Sequence, residues 1–377
     1  VSNKLLVNTT NLHVGGGVQV ATSFASEVLA IADPEARPVF LLSSEIAANL
    51  VAQGLDPAGM VGVEVRDVHG LDLCRSAARR RMDKEKAVFT VFGPLYRRRP
   101  RFRSIVGFAQ PWIIYPRNEC FARLTLLRRL AARLKYQIQG WFFRQADVLV
   151  VELEHVKQGL MRELGIPEER IHVVHNCLSR VFLQPELWQP APMPEVDYDL
   201  RLGYLGRNYL HKNTGIFPGI VAALARDHGI RAKFYVTFTR EEWAAATPEF
   251  RAACVNVGPL TTTQCPSFYQ RLDAVVFPSL LECFSATPLE AMAMERPLFA
   301  SDRAFNRDVC GPHARYFDPL SPESAAQAVA DVFARGTPDA SALMRAKAHA
   351  VEFSNPADRA KSYLSLLEGR APNAPQS

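Results

Sequence analysis

The chain has 377 residues, 48% hydrophobic and 22% charged, too long for one ordinary core and about right for two. It carries no low-complexity tract and no apolar run near the ~20 residues of a membrane-spanning helix, so a folded, soluble chain is expected. A net charge of +6 favours anionic partners, whether a small molecule, a lipid surface or nucleic acid.

The N-terminus, VSNKLLVNTT, has no signal-peptide pattern and lacks Met, which points to a processed or trimmed start. The seven cysteines (Cys74, Cys120, Cys177, Cys254, Cys265, Cys283, Cys310) are odd in number and scattered. None forms C-x-x-C and no histidine stands at zinc-finger spacing, so free thiols in a reducing cytoplasm are expected.

The first half alternates short apolar runs with helix-length amphipathic segments, the pattern of a parallel sheet covered on both faces. Leu5–Asn8 reads as the first strand, and Pro38–Leu42, Val61–Val65, Ala87–Phe92, Ser104–Phe108, Val148–Val151 and Ile171–Val174 supply others. Gly15-Gly16-Gly17 opens a helix at the carboxyl end of the first strand, where glycines let a backbone approach a phosphate or sugar closely. The run does not match G-x-G-x-x-G, which disfavours a dinucleotide fingerprint. Gln110 ends another strand and should face the ligand crevice.

Between Arg75 and Lys135 the chain is unusually basic, with Arg79-Arg80-Arg81 and Arg97-Arg98-Arg99 followed by Arg101 and Arg103. Leu127, Leu130, Leu134, Ile138 and Trp141 then share one helical face. Two readings stay open: a helix lying on an anionic lipid surface, or an ordinary amphipathic helix packed on the sheet with solvated arginines. The additional Arg clusters tilt the balance towards a membrane or polyanionic contact. Nucleic acid fits poorly, because no RNP motif, zinc finger or helix-turn-helix stands out. His172 and His175 lack a third ligand and read as structural.

Leu183–Pro194 has four prolines and reads as a linker. A second α/β pattern starts at Leu202. Its first strand ends at Gly206, and Arg207 and Lys212 follow; two cations over a strand end suit a diphosphate. Phe234–Phe238 is the next strand. Ala274–Phe277 is a buried strand that feeds a loop carrying Glu282, and Thr287-Pro288-Leu289-Glu290 reads as a helix start with Thr at the N-cap and Glu at the third position. The backbone amides from Ser285 to Leu289, Pro288 excepted, would face that loop as an anion site. Two carboxylates beside it suit sugar hydroxyls rather than phosphate. Pro297–Ala300, Ala325–Phe333 and Ser354–Leu367 complete the strand and helix pattern, and the tail APNAPQS is expected to be unstructured.

The string S-x-x-E-x-F-x-x-x-P-L-E-A-M-A around Glu282 and Glu290, with G-R-x-x-x-x-K-N from Gly206 to Asn213, resembles the signature of the family-four glycosyltransferases of the GT-B fold. The resemblance extends firmly from Asp147 to Pro319 and by pattern before that. It implies an α/β chain of two doubly wound Rossmann-like domains with an interdomain cleft. The N-terminal, acceptor-binding domain would span 1–185, with helix 354–368 packing back on it, and the nucleotide-sugar-binding domain 195–350. It implies that Glu282 contacts the donor sugar, that Glu290 contacts the ribose, and that Arg207 and Lys212 neutralise the leaving diphosphate. Gly16 and Gly17 would lie against the diphosphate and acceptor. The loop Cys283, Phe284, Ser285, Ala286, Thr287 joins the donor set, and Val257 and Gly258 are placed at the base. Many members have His or Asp where this chain has Gln110, which cannot take a proton, so a side-chain base there is in doubt.

The resemblance further implies retention of configuration, no metal and no other cofactor. Asp197-Tyr198-Asp199, the one D-x-D, precedes a strand rather than following one and is read as chance. The expected activity is hexosyl transfer from a nucleotide-sugar to a glycan or lipid-linked acceptor, in bacterial surface polysaccharide assembly. The chain would be cytoplasmic, or peripheral on the inner face of the plasma membrane. Alternatives are a nucleotide-sugar epimerase, a phosphorylase or a non-catalytic polyanion-binding module.

Overall fold

The computed structural model describes residues 4–30, 37–70, 77–333, 336 and 338–370; Cys74, Arg75 and the C-terminal tail lie outside them. The chain forms two compact units. One comprises Val1–Arg117, Leu124–Asn176 and Ser354–Ser377, and the other Asn118–Arg123 and Cys177–Phe353.

The first unit is built on β1 (Leu5–Asn8), β2 (Val39–Leu42), β3 (Val63–Val65), β4 (Ala87–Thr90), β5 (Arg103–Gly107), β6 (Val148–Val151) and β7 (Ile171–Val173). They pair in parallel in the order β3-β2-β1-β4-β5-β6-β7. β2, β4 and β6 are buried at every position, as strands must be when helices cover both faces. Helix Gly16–Leu29 buries Phe24, and helix Pro356–Glu368 lays Tyr363 edge-on against it at 5.1 Å and beside Phe89 at 4.9 Å. The same C-terminal helix carries the buried Arg359, whose guanidinium donates to Asn176 and, at 2.7 Å, to the Ser23 hydroxyl.

The second unit carries β8 (Leu200–Tyr204), β9 (Ala232–Val236), β10 (Cys254–Asn256), β11 (Ala274–Phe277), β12 (Leu298–Ser301) and β13 (Arg315–Phe317) in the parallel order β10-β9-β8-β11-β12-β13. Sequence reading missed β10 and β13. Both are three-residue edge strands with partly exposed positions, too short to show a continuous apolar run. Aromatic rings fill this core: Phe217 stacks on Phe234 at 3.9 Å, and Phe238 on Phe250 at 5.6 Å.

Leu183–Pro194 is not a free linker. After the short turns Arg180–Leu183 and Pro185–Leu187, the chain lies against the second unit. The Gln189 amide donates to Thr263 O at 2.9 Å, the Tyr235 hydroxyl donates to Pro194 O at 3.1 Å, and Ala191 and Met193 are buried. Proline blocks regular hydrogen bonding there without preventing side-chain burial.

Gly107 ends β5 where a Cβ would come within 1.6 Å of Val91 O, a clash with backbone that no rotamer relieves. Gly107→Ala is therefore expected to cost at least about 3 kcal/mol. Chemical denaturation measures this, and a variant as stable as wild type would refute the close approach.

Candidate functional site

Each sheet reverses its strand order once, between β1 and β4 in the first unit and between β8 and β11 in the second. At such a reversal neighbouring loops leave in opposite directions and open a crevice at the carboxyl ends of the strands.

In the second unit the β8 end holds both predicted cations. Gly206, at φ 152°, turns the chain under the Tyr204 ring; its amide donates to Thr237 Oγ1 at 3.0 Å, and a Cβ would meet the tyrosine hydroxyl at 2.9 Å. Arg207 follows, exposed, its Nε donating to Glu242 Oε1 at 2.9 Å. Glu242 also accepts from the Asn208 amide at 3.1 Å and closes a capping box with Thr239 on helix Arg240–Ala244. Burial tends to raise the Glu242 carboxyl, but the Thr239 amide and Arg207 outweigh it and hold it below the usual carboxylate range.

Lys212 ends a short turn, Leu210–Lys212, and reaches across the reversal: its Nζ lies 2.5 Å from Glu282 Oε1 and 5.4 Å from the Phe277 ring centre. The pair is largely buried, with side chains 17% and 9% exposed. Sequence reasoning assigned these two residues to different parts of a ligand; the fold brings them into direct contact. The Leu280 amide donates to His211 O at 2.8 Å, tying the two loops together beside the pair.

Glu290 lies on helix Thr287–Ala293, where Tyr269 OH donates to its Oε2 at 2.8 Å. Its edge is partly exposed but the carboxyl is densely surrounded by protein, and burial raises its pKa to about 7 against the opposing Tyr269 hydrogen bond. The expected Thr287 N-cap is corrected: Ala286 holds the N-cap position, no side chain caps the helix, and Thr287 is its first residue. The Thr287 hydroxyl reaches Leu205 O at 3.5 Å instead, drawn to the β8 end. Cys283 and Thr287 are buried, while Phe284, Ser285 and Ala286 are partly open.

Val257 and Gly258 follow the edge strand β10. The Val257 amide is taken by Val236 O at 2.8 Å, and the Gly258 amide by Asn256 Oδ1 at 3.3 Å. Contact with a base through their amides is thus not open to them as they stand; their carbonyls are the polar groups left to offer. Asp197 and Asp199 sit at the amino end of β8, opposite the crevice end, and both face Arg231, with Asp199 at 3.1 Å.

In the first unit the strand ends of β1, β4 and β5 enclose a pocket of about 280 Å³ lined by residues including Asn11, Phe92, Tyr96, Gln110, Gln139 and Phe143. Gln110 Nε2 donates to Gln139 Oε1 at 3.4 Å, and Gln139 Nε2 donates to the Tyr96 hydroxyl at 3.0 Å. Asn11 Nδ2 donates to Phe92 O at 2.8 Å, leaving its buried Oδ1 without a protein partner. No lining residue is charged. Of the glycine run, Gly15 takes the left-handed turn at φ 79° as N-cap of the helix. Gly16 is open, and Gly17 is crowded by Leu12 and Phe92. Asn11, Tyr96, Gln139, Glu242 and Tyr269 escaped sequence reasoning, although Thr239-x-x-Glu242 is a legible capping box.

Two doubly wound parallel sheets, one with a cation–carboxylate crevice at its strand reversal, define the class: this is the GT-B glycosyltransferase fold. Residues 199–335, the greater part of the second unit, match the family model described as glycosyl transferases group 1. No curated protein matches the chain in sequence. Among solved structures it is similar to a glycosyltransferase from Rickettsia africae, with a TM-score of 0.68 and 14% identity over 98% of this chain and 99% of that one. It is also similar to Anabaena Alr3699/HepE in complex with UDP and glucose (TM-score 0.65, 13% identity, 97% and 99% covered). A third is the Escherichia coli structure described as trehalose-6-phosphate bound with UDP-2-fluoro glucose (TM-score 0.64, 11% identity, 98% and 100% covered). At these identities the likeness is one of fold.

Glu290 yields a test. Its folded pKa lies above its ordinary value of 4.5, so the folded chain retains a proton that the unfolded chain loses as pH rises. The stability this contributes is present at acid pH and lost between about pH 4.5 and 7. Glu290→Gln should therefore gain stability relative to wild type across that window and plateau above it. Parallel pH profiles from urea denaturation would detect the crossover, and parallel curves with no relative change would rule out the raised pKa.

Proposed function

We propose that this chain transfers a hexosyl group from a nucleotide-sugar, with retention and without a metal, to a glycan or lipid-linked acceptor in bacterial surface polysaccharide assembly. The observation that carries the reading is the pair of cations at the β8 end, Arg207 and Lys212, each held by a carboxylate that an anionic ligand can replace. A nucleoside diphosphate brings two adjacent anionic groups and can take both cations together. Neighbours of the same fold, Anabaena Alr3699/HepE with UDP-glucose among them, support a nucleotide-sugar donor.

In this reading Arg207 and Lys212 stabilise the charge that grows on the departing diphosphate, where fixed cations in a poorly hydrated crevice act most strongly. Diphosphate binding frees Glu282 from Lys212, and its carboxylate accepts from donor-sugar hydroxyls. Glu290 accepts from the ribose; ionising its carboxyl for that role releases a proton near neutral pH, so nucleotide affinity rises with pH through about 7. The loop from Cys283 to Thr287 supplies first-turn amides to the phosphates. The neutral pocket with Asn11, Gln110 and Gln139 suits an uncharged polyhydroxyl acceptor, since carboxamides both donate and accept. Its lining has no side-chain base, consistent with the leaving phosphate accepting the acceptor proton. A lipid-linked acceptor would bring the chain, as a peripheral protein, to the inner face of the plasma membrane.

A thermal-shift panel of UDP, GDP, dTDP and CMP without added metal tests the donor. One nucleotide should raise the melting temperature of wild type, and Arg207→Ala and Lys212→Ala should abolish most of that shift. Once the sugar is identified, Lys212→Ala should lower kcat by roughly 100-fold or more while a chelator leaves the rate unchanged. A melting temperature unmoved by all four would overturn the nucleotide reading in favour of a polyanion-binding module. Loss of activity with chelator would overturn metal independence.

A further inference from the structure

Helix Leu126–Phe143 of the first unit has two apolar faces, and only one of them is buried. Gln139, Gly140 and Phe143 turn inward, and Tyr136 stacks on Trp112 at 5.6 Å. Leu126, Leu127, Leu130, Leu134, Ile138 and Trp141 turn the other way and are between 42% and 80% exposed. At about 100° per residue these six fall within about 120° of one another, roughly opposite the buried stripe. Of the two readings the sequence left open, packing of this face on the sheet is therefore excluded.

The surroundings are basic. Arg128, Arg133 and Lys135 are exposed on the same helix and flank the apolar stripe. Tyr96 packs against Phe142 at 5.3 Å and accepts from Gln139, which ties the following loop to the end of the helix. That loop carries Arg98, Arg99 and Arg101, all exposed. Three other members of the arginine clusters are engaged inside the unit. Arg81 pairs with Glu64 at 2.9 Å and with Glu85, Arg97 pairs with Asp83, and Arg103 donates to Leu366 O at 2.6 Å. The helix itself contains no acidic residue. No described helix is long and apolar enough to cross a membrane.

We infer that the outer face of Leu126–Trp141 docks on an anionic lipid bilayer, with the leucines and Trp141 entering the headgroup–acyl boundary and Arg128, Arg133 and Lys135 meeting lipid phosphates. An unpartnered apolar stripe bordered on its flanks by cations is what a bilayer surface of opposite charge accommodates. A protein partner of stated shape is not needed to satisfy it. The inference names the surface behind the peripheral placement proposed above, and its test does not depend on glycosyl transfer.

Sedimentation of the full chain with phosphatidylcholine vesicles, with and without phosphatidylglycerol, reads it directly. Wild type should pellet with the anionic vesicles and weaken in high salt. Leu127→Ser/Leu130→Ser/Leu134→Ser should lose binding at least about ten-fold, with unchanged melting temperature because the face is already in water. Arg128→Ala/Arg133→Ala/Lys135→Ala should lose the preference for phosphatidylglycerol while keeping any nucleotide-dependent thermal shift. Wild type that stays in the supernatant with anionic vesicles, or a triple-Ser variant that pellets as well as wild type, would overturn the inference. So would a wild-type dimer in light scattering that the triple-Ser variant dissolves without change in vesicle binding, which would assign the face to a second copy of the chain.

Discussion

The contact between Lys212 and Glu282 exists because the second sheet changes direction between β8 and β11. Both strands are short and buried, and each must hand its chain to a loop at the same edge of the sheet. The reversal sends the helices that follow to opposite faces, so the two loops meet with nothing packed between them. A cation from one and a carboxylate from the other then close at 2.5 Å across 70 residues of sequence. Gly206, Leu280 and Thr287 are arranged around this edge, each spending a polar group on a neighbouring strand end or loop.

A largely buried ion pair at this place has a particular consequence. Removing charge from water is costly, so the largely buried Lys212 is tolerable without ligand only while Glu282 pairs with it, whereas Arg207 stays in water. Glu282 serves Lys212, and Glu242 serves Arg207 from the first turn of helix Arg240–Ala244. In the function proposed above, a diphosphate would exchange one set of anions for another rather than meet bare cations. Glu242 remains tied to the Thr239 amide throughout by its capping box, so its carboxylate cannot follow the guanidinium far. The Arg207 site is accordingly held in place from outside the motif that contains Arg207.

The first unit works with different chemistry. Its strand-end pocket is lined by carboxamides, a phenol hydroxyl and aromatic rings, and by no charge at all. Tyr96, which closes one side, sits at φ 48°, a conformation disfavoured for a side-chain-bearing residue and held here by Gln139 and Phe142. The helix that supplies Gln139 to the pocket also presents the exposed leucine stripe on its outer side. One helix thus joins a polar pocket to an exposed apolar face.

Much of this was open to reading in the sequence, for local reasons. Buried parallel strands are continuous apolar runs, so β1, β6 and β11 could be placed to the residue, while the three-residue edge strands β10 and β13 carry no such run. The basic and acidic residues of the β8 and β11 loops stood out because their spacing puts them just beyond strand ends. What local pattern cannot contain is which of them touch. The Lys212–Glu282 contact, Glu242 as partner of Arg207 and Tyr269 as donor to Glu290 are long-range pairings that only the sheet order determines. Likewise, helical periodicity revealed a leucine face on residues 126–141 but could not say whether it looked in or out. A helix with apolar residues on two sides buries the one its strand connections turn towards the sheet, and that choice belongs to the tertiary fold.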